Sequence, residues 1–190
     1  METDNWPFIQ ARWFTPFDGV RHPRVIVVHD MEYYERDDSA EIIAHDFATR
    51  PPGNKASAHI CVDNNSIVQC VKDNDIAYAA PGANSDGLQM ELTGFGKQTE
   101  AEWLNFYGIA LLAIGSDAAA QWCLKFGLPP IHLTDEQVKD KLTKGICGHD
   151  QVSRVFKLSD HTDPGVNFPW QYFISSVRNF YDARKTKVAA

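Results

Sequence analysis

Three histidines and one aspartate stand in settings from which side chains can reach a metal ion. His29 closes the run Val25-Ile26-Val27-Val28, and His149 ends Gly145-Ile146-Cys147-Gly148-His149. His161 and Asp163 share the stretch His161-Thr162-Asp163-Pro164-Gly165. Proline fixes its own φ and holds the residue before it extended, while glycine supplies an angle other residues avoid. That turn therefore presents the Asp163 carboxylate from a rigid loop. Zinc takes imidazole nitrogen and carboxylate oxygen, and a hydrolytic zinc site uses three protein ligands plus water. Two histidines and one acid fit that count. No His-Glu-x-x-His run is present, which excludes thermolysin-like enzymes. The plainer alternative is that each histidine is satisfied by ordinary hydrogen bonds, and residue type and context alone lean toward it.

The elements that must position these residues follow from periodicity. Residues 25–28 are a continuous β-branched run and read as a fully buried strand with His29 and Asp30 at its C-terminal end. A helix is predicted over 39–49, stopped by Pro51-Pro52-Gly53. Residues 57–63 and 67–71 read as a hairpin turning at Asn64-Asn65, with Cys61 opposite Val68 and Cys70 opposite His59. Over 88–93, Leu88, Met90 and Leu92 alternate with Gln89, Glu91 and Thr93, which puts Glu91 on the polar face of a strand. One long helix is predicted over 100–126, opened by the capping box of Thr99 and Glu102 and closed by Gly127. Its Trp103, Phe106, Ala110 and Ala113 form a stripe expected to be core. A short helix over 134–145 and a last one from about 167 complete the chain, with Trp170 and Phe173 also expected in the core. Strands alternating with helices and one hairpin predict an α/β fold: a single domain whose central mixed β-sheet is flanked by helices on both faces.

Composition bounds the rest. The 190 residues are 44% hydrophobic and 23% charged, which is ordinary globular usage and excludes a disordered or fibrous chain. Mean hydropathy is −0.34, and no unbroken apolar stretch reaches about 18 residues, so no membrane insertion is expected. A net charge of −7 disfavours nucleic acid as a partner. The four cysteines form no metal-finger spacing and read as small core residues in a reducing compartment. The first residues carry no basic n-region or apolar h-region, so no signal peptide is expected. Residues 1–15 and the tail after Asp182 look linker-like.

Six stretches together carry a family resemblance. They are residues 25–32, 55–63, 66–71, 80–84, 145–149 and 161–165, the last followed by Phe168-Pro169-Trp170. In this order, over roughly residues 8–173, the chain resembles the type 2 N-acetylmuramoyl-L-alanine amidases, which share their fold with the peptidoglycan recognition proteins. It is most similar to the amidase domain of lysin A endolysins from phages of mycobacteria and related actinobacteria.

The resemblance implies a single zinc amidase domain over residues 1–190, with its core at about 24–182 and an N-terminal extension at 1–20. It implies Zn2+ held by His29, His149 and Asp163, with Glu91 as catalytic glutamate and His161 steadying the oxyanion. His59, as a groove wall or structural residue, and Asn84 are expected beside the substrate groove. Asp30 and Asp150, each next to a ligand histidine, are candidates to fix its tautomer. Cys147, two residues before His149, is an alternative ligand, with a structural thiol the preferred reading. The implied substrate is peptidoglycan, cut between the lactyl group of N-acetylmuramic acid and L-alanine by a monomer. The enzyme would wait in the host cytoplasm until a holin releases it to the wall. A non-catalytic peptidoglycan-recognition module and a cytoplasmic muropeptide-recycling amidase are the alternatives on the same fold. One departure stands out: Ala79 occupies the position where relatives carry a groove histidine, and Asn84-Ser85 stands where lysin A relatives often have Asn-His. Both bear on contacts to the peptide stem.

Overall fold

The computed structural model describes residues 6–189. Residues 1–5 of the expected N-terminal extension, and with them the start of the segment examined for a signal, lie outside the described residues, as does Ala190. In chain order the elements are β1 (Phe14–Thr15), β2 (Val25–Asp30), α1 (Ser39–Thr49), β3 (Ile60–Val62), β4 (Ile67–Gln69), β5 (Ile76–Ala77) and β6 (Gly87–Leu92). Then come α2 (Glu100–Trp103), α3 (Phe106–Phe126), α4 (Asp135–Asp140), β7 (Gly145–Gly148), α5 (His149–Phe156) and α6 (Trp170–Ala189).

Five strands form the central sheet in the order β4-β3-β6-β2-β7. The β2–β6, β2–β7 and β3–β6 pairs are parallel and β3–β4 is an antiparallel hairpin, so the sheet is mixed. The hairpin has the predicted register, with Cys61 opposite Val68. All four cysteines are free and buried, and the Cys61 and Cys70 sulfurs lie 3.8 Å apart.

The two faces of the sheet divide the labour. Ile26, Val28, Leu88, Met90, Leu92, Ile60 and Val62 face α3 and α6, which cover them with Leu111, Leu112, Trp122, Phe173 and Val177. On the other face α1 covers Cys61 and Val68 with Ala40, Ala44 and Phe47. There α4 and α5 cover Val25, Val27 and Cys147 with Val138 and Val152. Between α1 and α5 the ends of β2 and β6 are left uncapped, and the side chains that alternation places there are His29 and Glu91, in register on neighbouring strands.

Several elements differ from their predicted form. The helix predicted over 100–126 breaks at Leu104 and Asn105. Asn105 adopts an extended conformation and its side chain accepts from the Gly108 N–H, starting a new helix. A Cβ at position 108 would fall 2.0 Å from the Trp103 carbonyl oxygen, so only glycine permits this close step. The break takes Phe106 off the stripe: Trp103 is 1% exposed but Phe106 is 95% exposed. Local capping outcompetes a continuous helix here. α3 contains a window of mean hydropathy 1.2, long and apolar enough to cross a membrane by composition, but 56% of that window is buried inside the fold.

Strand β7 and helix α5 have no counterpart in the prediction, because four residues show no period. The described parts of the linker-like ends, residues 6–15 and 183–189, are also ordered parts of the fold. Ile9 and Ala11 N–H groups donate to the Gln69 and Cys70 carbonyls, Trp6 packs edge-on against Trp122, and residues 183–189 continue α6.

A buried cation ties the loops behind the site together. The Arg21 guanidinium donates to the carbonyls of Asp73, Asn84, Ser85 and Gly87. Burial lowers its pKa to about 10, against the pull of Asp86, Asp73 and Asp75. Arg21→Met is expected to destabilise the fold by about 3 kcal/mol or more, since several buried carbonyls lose their donor. Urea unfolding with an unchanged midpoint would contradict that assignment.

His59 lies against the same guanidinium. Its Nδ1 accepts from the Gln89 N–H at 2.9 Å, which leaves the proton of the neutral ring on Nε2 for the Asp75 carbonyl at 3.1 Å. Burial, reinforced by Arg21, lowers its pKa to about 3. The unfolded chain binds this proton near pH 6.5 and the folded one only near 3. Stability should therefore fall as pH drops across that window, by about 1.4 kcal/mol per unit from this residue. Unfolding at pH 7, 6 and 5 should show a steeper loss in the native protein than in His59→Gln, and equal slopes would contradict the reading.

Candidate metal centre

The Asp163 carboxylate is the hub of the site. Its Oδ2 lies 3.0 Å from His29 Nδ1 and 3.2 Å from His149 Nδ1, and its Oδ1 lies 3.3 Å from His161 Nδ1. His29 comes from the end of β2, His149 from the first residue of α5, and Asp163 from the loop before α6. The loop is pinned at both ends. Asp150 N–H donates to the Asp163 carbonyl at 2.8 Å, and Gly165, at φ 96°, packs so tightly that a Cβ would fall 1.9 Å from the Gly96 carbonyl oxygen. Gln151 Oε1 accepts from the Gly148 N–H and fixes the start of α5, and so the placement of His149.

One ligand atom from each of His29, His149 and Asp163 lies within 4.8 Å of the others, and all three residues are buried. This is the only such group among the described residues. The donor set of two imidazole nitrogens and one carboxylate fits zinc.

Burial would lower His29, but the Asp163 carboxylate and the nearby Glu91 outweigh it and raise the imidazole to about 9. Burial and the His29 charge lower His149 to about 4. Burial alone would raise Asp163, yet the two imidazoles hold its carboxyl well below the usual range. His29 thus carries a proton balanced by the Asp163 carboxylate, and a cation bound there would displace that proton to reach the imidazole nitrogen.

Glu91 sits on β6 beside His29, partly buried and without a hydrogen bond among the described contacts. Burial raises its carboxyl to about 7, against the pull of His29. A carboxyl near neutrality can both take and return a proton. His161 stacks on His149 with ring centroids 4.3 Å apart, and its side chain is 59% exposed at the mouth of the groove.

The residue fixing the His29 ring was missed by sequence reasoning. Asp30 cannot do it, because neighbouring residues in a strand point to opposite faces. Its Oδ1 accepts from the Glu32 N–H, and its buried Oδ2 has no partner among the described residues. Burial raises the Asp30 carboxyl to about 8. Gln89 takes the role instead. It lies two residues before Glu91 on the same face, and its Oε1 meets His29 Nε2 at 2.9 Å, which leaves Nδ1 free to bind. The Asp150 side chain pairs with Arg154 at 3.1 Å rather than with His149, whose Nε2 has no partner among the described residues. The available signal was a polar residue, Gln89, inside an otherwise buried strand.

A groove of about 860 Å³ opens over these residues. Asn84 and Ala79 line it, but Asn84 Oδ1 is engaged by the Ala79 and Ala80 N–H groups. His59 does not line it: the residue is fully buried against Arg21 and Trp122, so it is structural. Cys147 points into the Val25–Val27 cluster, and burial pushes its thiol up to about 12, so it is no ligand to this site. Trp13 stands by the groove wall, its Nε1 donating to the Arg50 carbonyl at 2.9 Å.

Residues 19–166 match the family model described as N-acetylmuramoyl-L-alanine amidase. No curated protein matches the chain by sequence. Among solved structures, the fold is similar to the hydrolase AmiA of Staphylococcus aureus in complex with its ligand, with TM-score 0.71 at 18% identity over 98% of this chain and 88% of that one. It is also similar to a mutant endolysin from Bacillus subtilis, with TM-score 0.58 at 13% identity over 91% and 98% of the two chains. A third is the endolysin amidase LysCS from Clostridium intestinale, with TM-score 0.56 at 14% identity over 93% and 97%.

Proposed function

This chain belongs to the N-acetylmuramoyl-L-alanine amidase family, and we propose that it hydrolyses the amide between the lactyl group of N-acetylmuramic acid and L-alanine, with zinc held by His29, His149 and Asp163. The observation that carries this reading is the convergence of those three donors from distant parts of the chain, in a groove, beside an unpaired carboxylate. When bound, such an ion supplies Lewis-acid polarisation of the scissile carbonyl and a readily deprotonated water.

The chain's own groups do the rest. Glu91 accepts the proton of the attacking water on its carboxylate and returns it to the leaving amine. His161, exposed at the mouth, donates a hydrogen bond to the carbonyl oxygen as it gains charge. Gln89 holds the His29 ring so that Nδ1 faces the site. The complete donor set together with Glu91 favours an enzyme over a recognition module.

The finer reading is a phage endolysin acting on an actinobacterial wall. It is supported by the ordered motifs shared with lysin A amidase domains. The test is digestion of purified actinobacterial peptidoglycan, counting new amino termini and new reducing ends, with and without 1,10-phenanthroline. The expected result is L-alanine amino termini that disappear with the chelator, and no new reducing ends. Binding without release, or cleavage of soluble muropeptides alone, would contradict the endolysin reading.

A further inference from the structure

Resting on the amidase reading for the identity of the ligand, we propose that Arg50 and Lys55 form an anion subsite that selects stem peptides with a free carboxylate on the residue after L-alanine. The groove is polarised. Its acidic lining residues Asp30, Glu32, Glu91, Asp160 and Asp163 come from the end of β2 and the residues after it, from β6 and from the loop before α6. Arg50 and Lys55 are the only Lys or Arg among its described lining residues, and both come from the end of α1 and the segment after it. In a chain with 25 acidic and 18 basic residues, two cations on one wall, only one of them paired with a carboxylate, are not an average of the surface.

Both cations are held in place without being neutralised from every side. The Arg50 guanidinium lies over the Phe47 ring at 4.9 Å, and its Nε donates to the half-exposed Asp46 at 2.5 Å. The Arg50 carbonyl accepts from Trp13 Nε1 and from Arg12, which fixes the backbone. Its two terminal nitrogens carry no hydrogen bond among the described contacts. They offer the planar fork that a carboxylate binds in bidentate fashion. The Lys55 ammonium lies over the Trp13 ring at 4.9 Å and has no ion pair among the described contacts. An aromatic face steadies a cation while leaving its charge available to an anion. The wall is also near the reacting centre, since the Arg50 charge opposes the upward shift of Glu91.

The chemistry of muramyl stems supplies a matching anion. The residue after L-alanine is a glutamate joined onward through its side chain, so its α-carboxyl is present either free or as a primary amide. One residue spans at most about 3.6 Å, which keeps that group inside the groove when the scissile amide sits at the metal donors.

The test is calorimetric binding of two muramyl tripeptides, L-alanyl-γ-D-glutamyl-L-lysinamide with its glutamate α-carboxyl free or as the primary amide, to zinc-loaded Glu91→Gln at low salt. The acid should bind about tenfold or more tightly, the scale of a charge-assisted bidentate contact. Adding Arg50→Gln should bring the two affinities to within about twofold by weakening the acid alone, while Arg50→Lys keeps part of the preference. Raising the salt should shrink it. Equal affinities in Glu91→Gln, or a preference that survives Arg50→Gln with Lys55→Gln, would overturn the subsite. A preference in binding with no release of L-alanine termini by the native protein would sink the amidase reading and leave the subsite standing.

Discussion

Glu91→Gln is expected to lower the turnover of muramyl peptide by about 10²–10⁴-fold, the contribution of a positioned general base. Zinc content and melting temperature should stay at the native values. The isolation of the effect follows from the surroundings of the side chain. Glu91 makes no hydrogen bond among the described contacts, so the amide leaves no partner orphaned. Its volume is unchanged, so β6 and its neighbours keep their packing. The removed group is a carboxyl that burial has raised to about 7 and that stands beside His29 on the adjacent strand. A glutamine there can still hydrogen-bond to water but cannot accept its proton. Retention of more than about a tenth of native turnover would remove Glu91 from the role of base.

Asp163→Asn should abolish activity by a different route, through loss of the ion. Asp163 is the one anionic donor of the three, and its oxygens lie 3.0 to 3.2 Å from the Nδ1 atoms of His29 and His149. Its neutral amide keeps the shape and loses the charge. Zinc affinity should fall by more than about 100-fold, beyond the 10–100-fold range of changes to residues that merely orient a ligand. Gln89→Leu belongs to that lesser range, because it frees the His29 ring from its Nε2 partner while all three donors remain. Asp150→Ala should leave zinc affinity unchanged, since that carboxylate pairs with Arg154. Competition with a chromophoric chelator measures all three variants. An order in which Asp150→Ala costs more than Gln89→Leu would contradict the structure.

What the sequence made legible follows period and length. The run at residues 25–28, the alternation over 88–93 and the hairpin at Asn64-Asn65 each announce a strand, and the structure has β2, β6 and the β3–β4 pair there. The sheet is mixed and covered on both faces by helices, as alternating strands and helices require. Elements of two to four residues, such as β7, carry no readable period. Yet β7 aligns with β2 and ends at Gly148, so it sets where His149 stands. The helix over 100–126 was misread for a local reason: Asn105 caps a new helix, and propensity gives no weight to one cap inside a long apolar stretch.

In the site, residue types and turn chemistry pointed to His29, His149, His161 and Asp163. The structure brings the three histidines to within 3.3 Å of the Asp163 carboxylate. The supporting residues were harder to read. Adjacency in sequence suggested Asp30 and Asp150, but a strand's pleat turns Asp30 away from the ring beside it, and Arg154 draws Asp150 off. Gln89 and Arg21 act across 60 and 38 residues respectively, on His29 and His59. Such contacts exist only after the sheet has formed.

In the proposed function, one ion held by His29, His149 and Asp163 makes this groove an amidase. The most direct measurement is titration of zinc into metal-free protein while counting L-alanine amino termini released from peptidoglycan. Activity should rise linearly from the metal-free baseline, break at one equivalent and then stay flat, and Asp163→Asn should show no rise. Full activity in the metal-free protein, or a native response in Asp163→Asn, would contradict it.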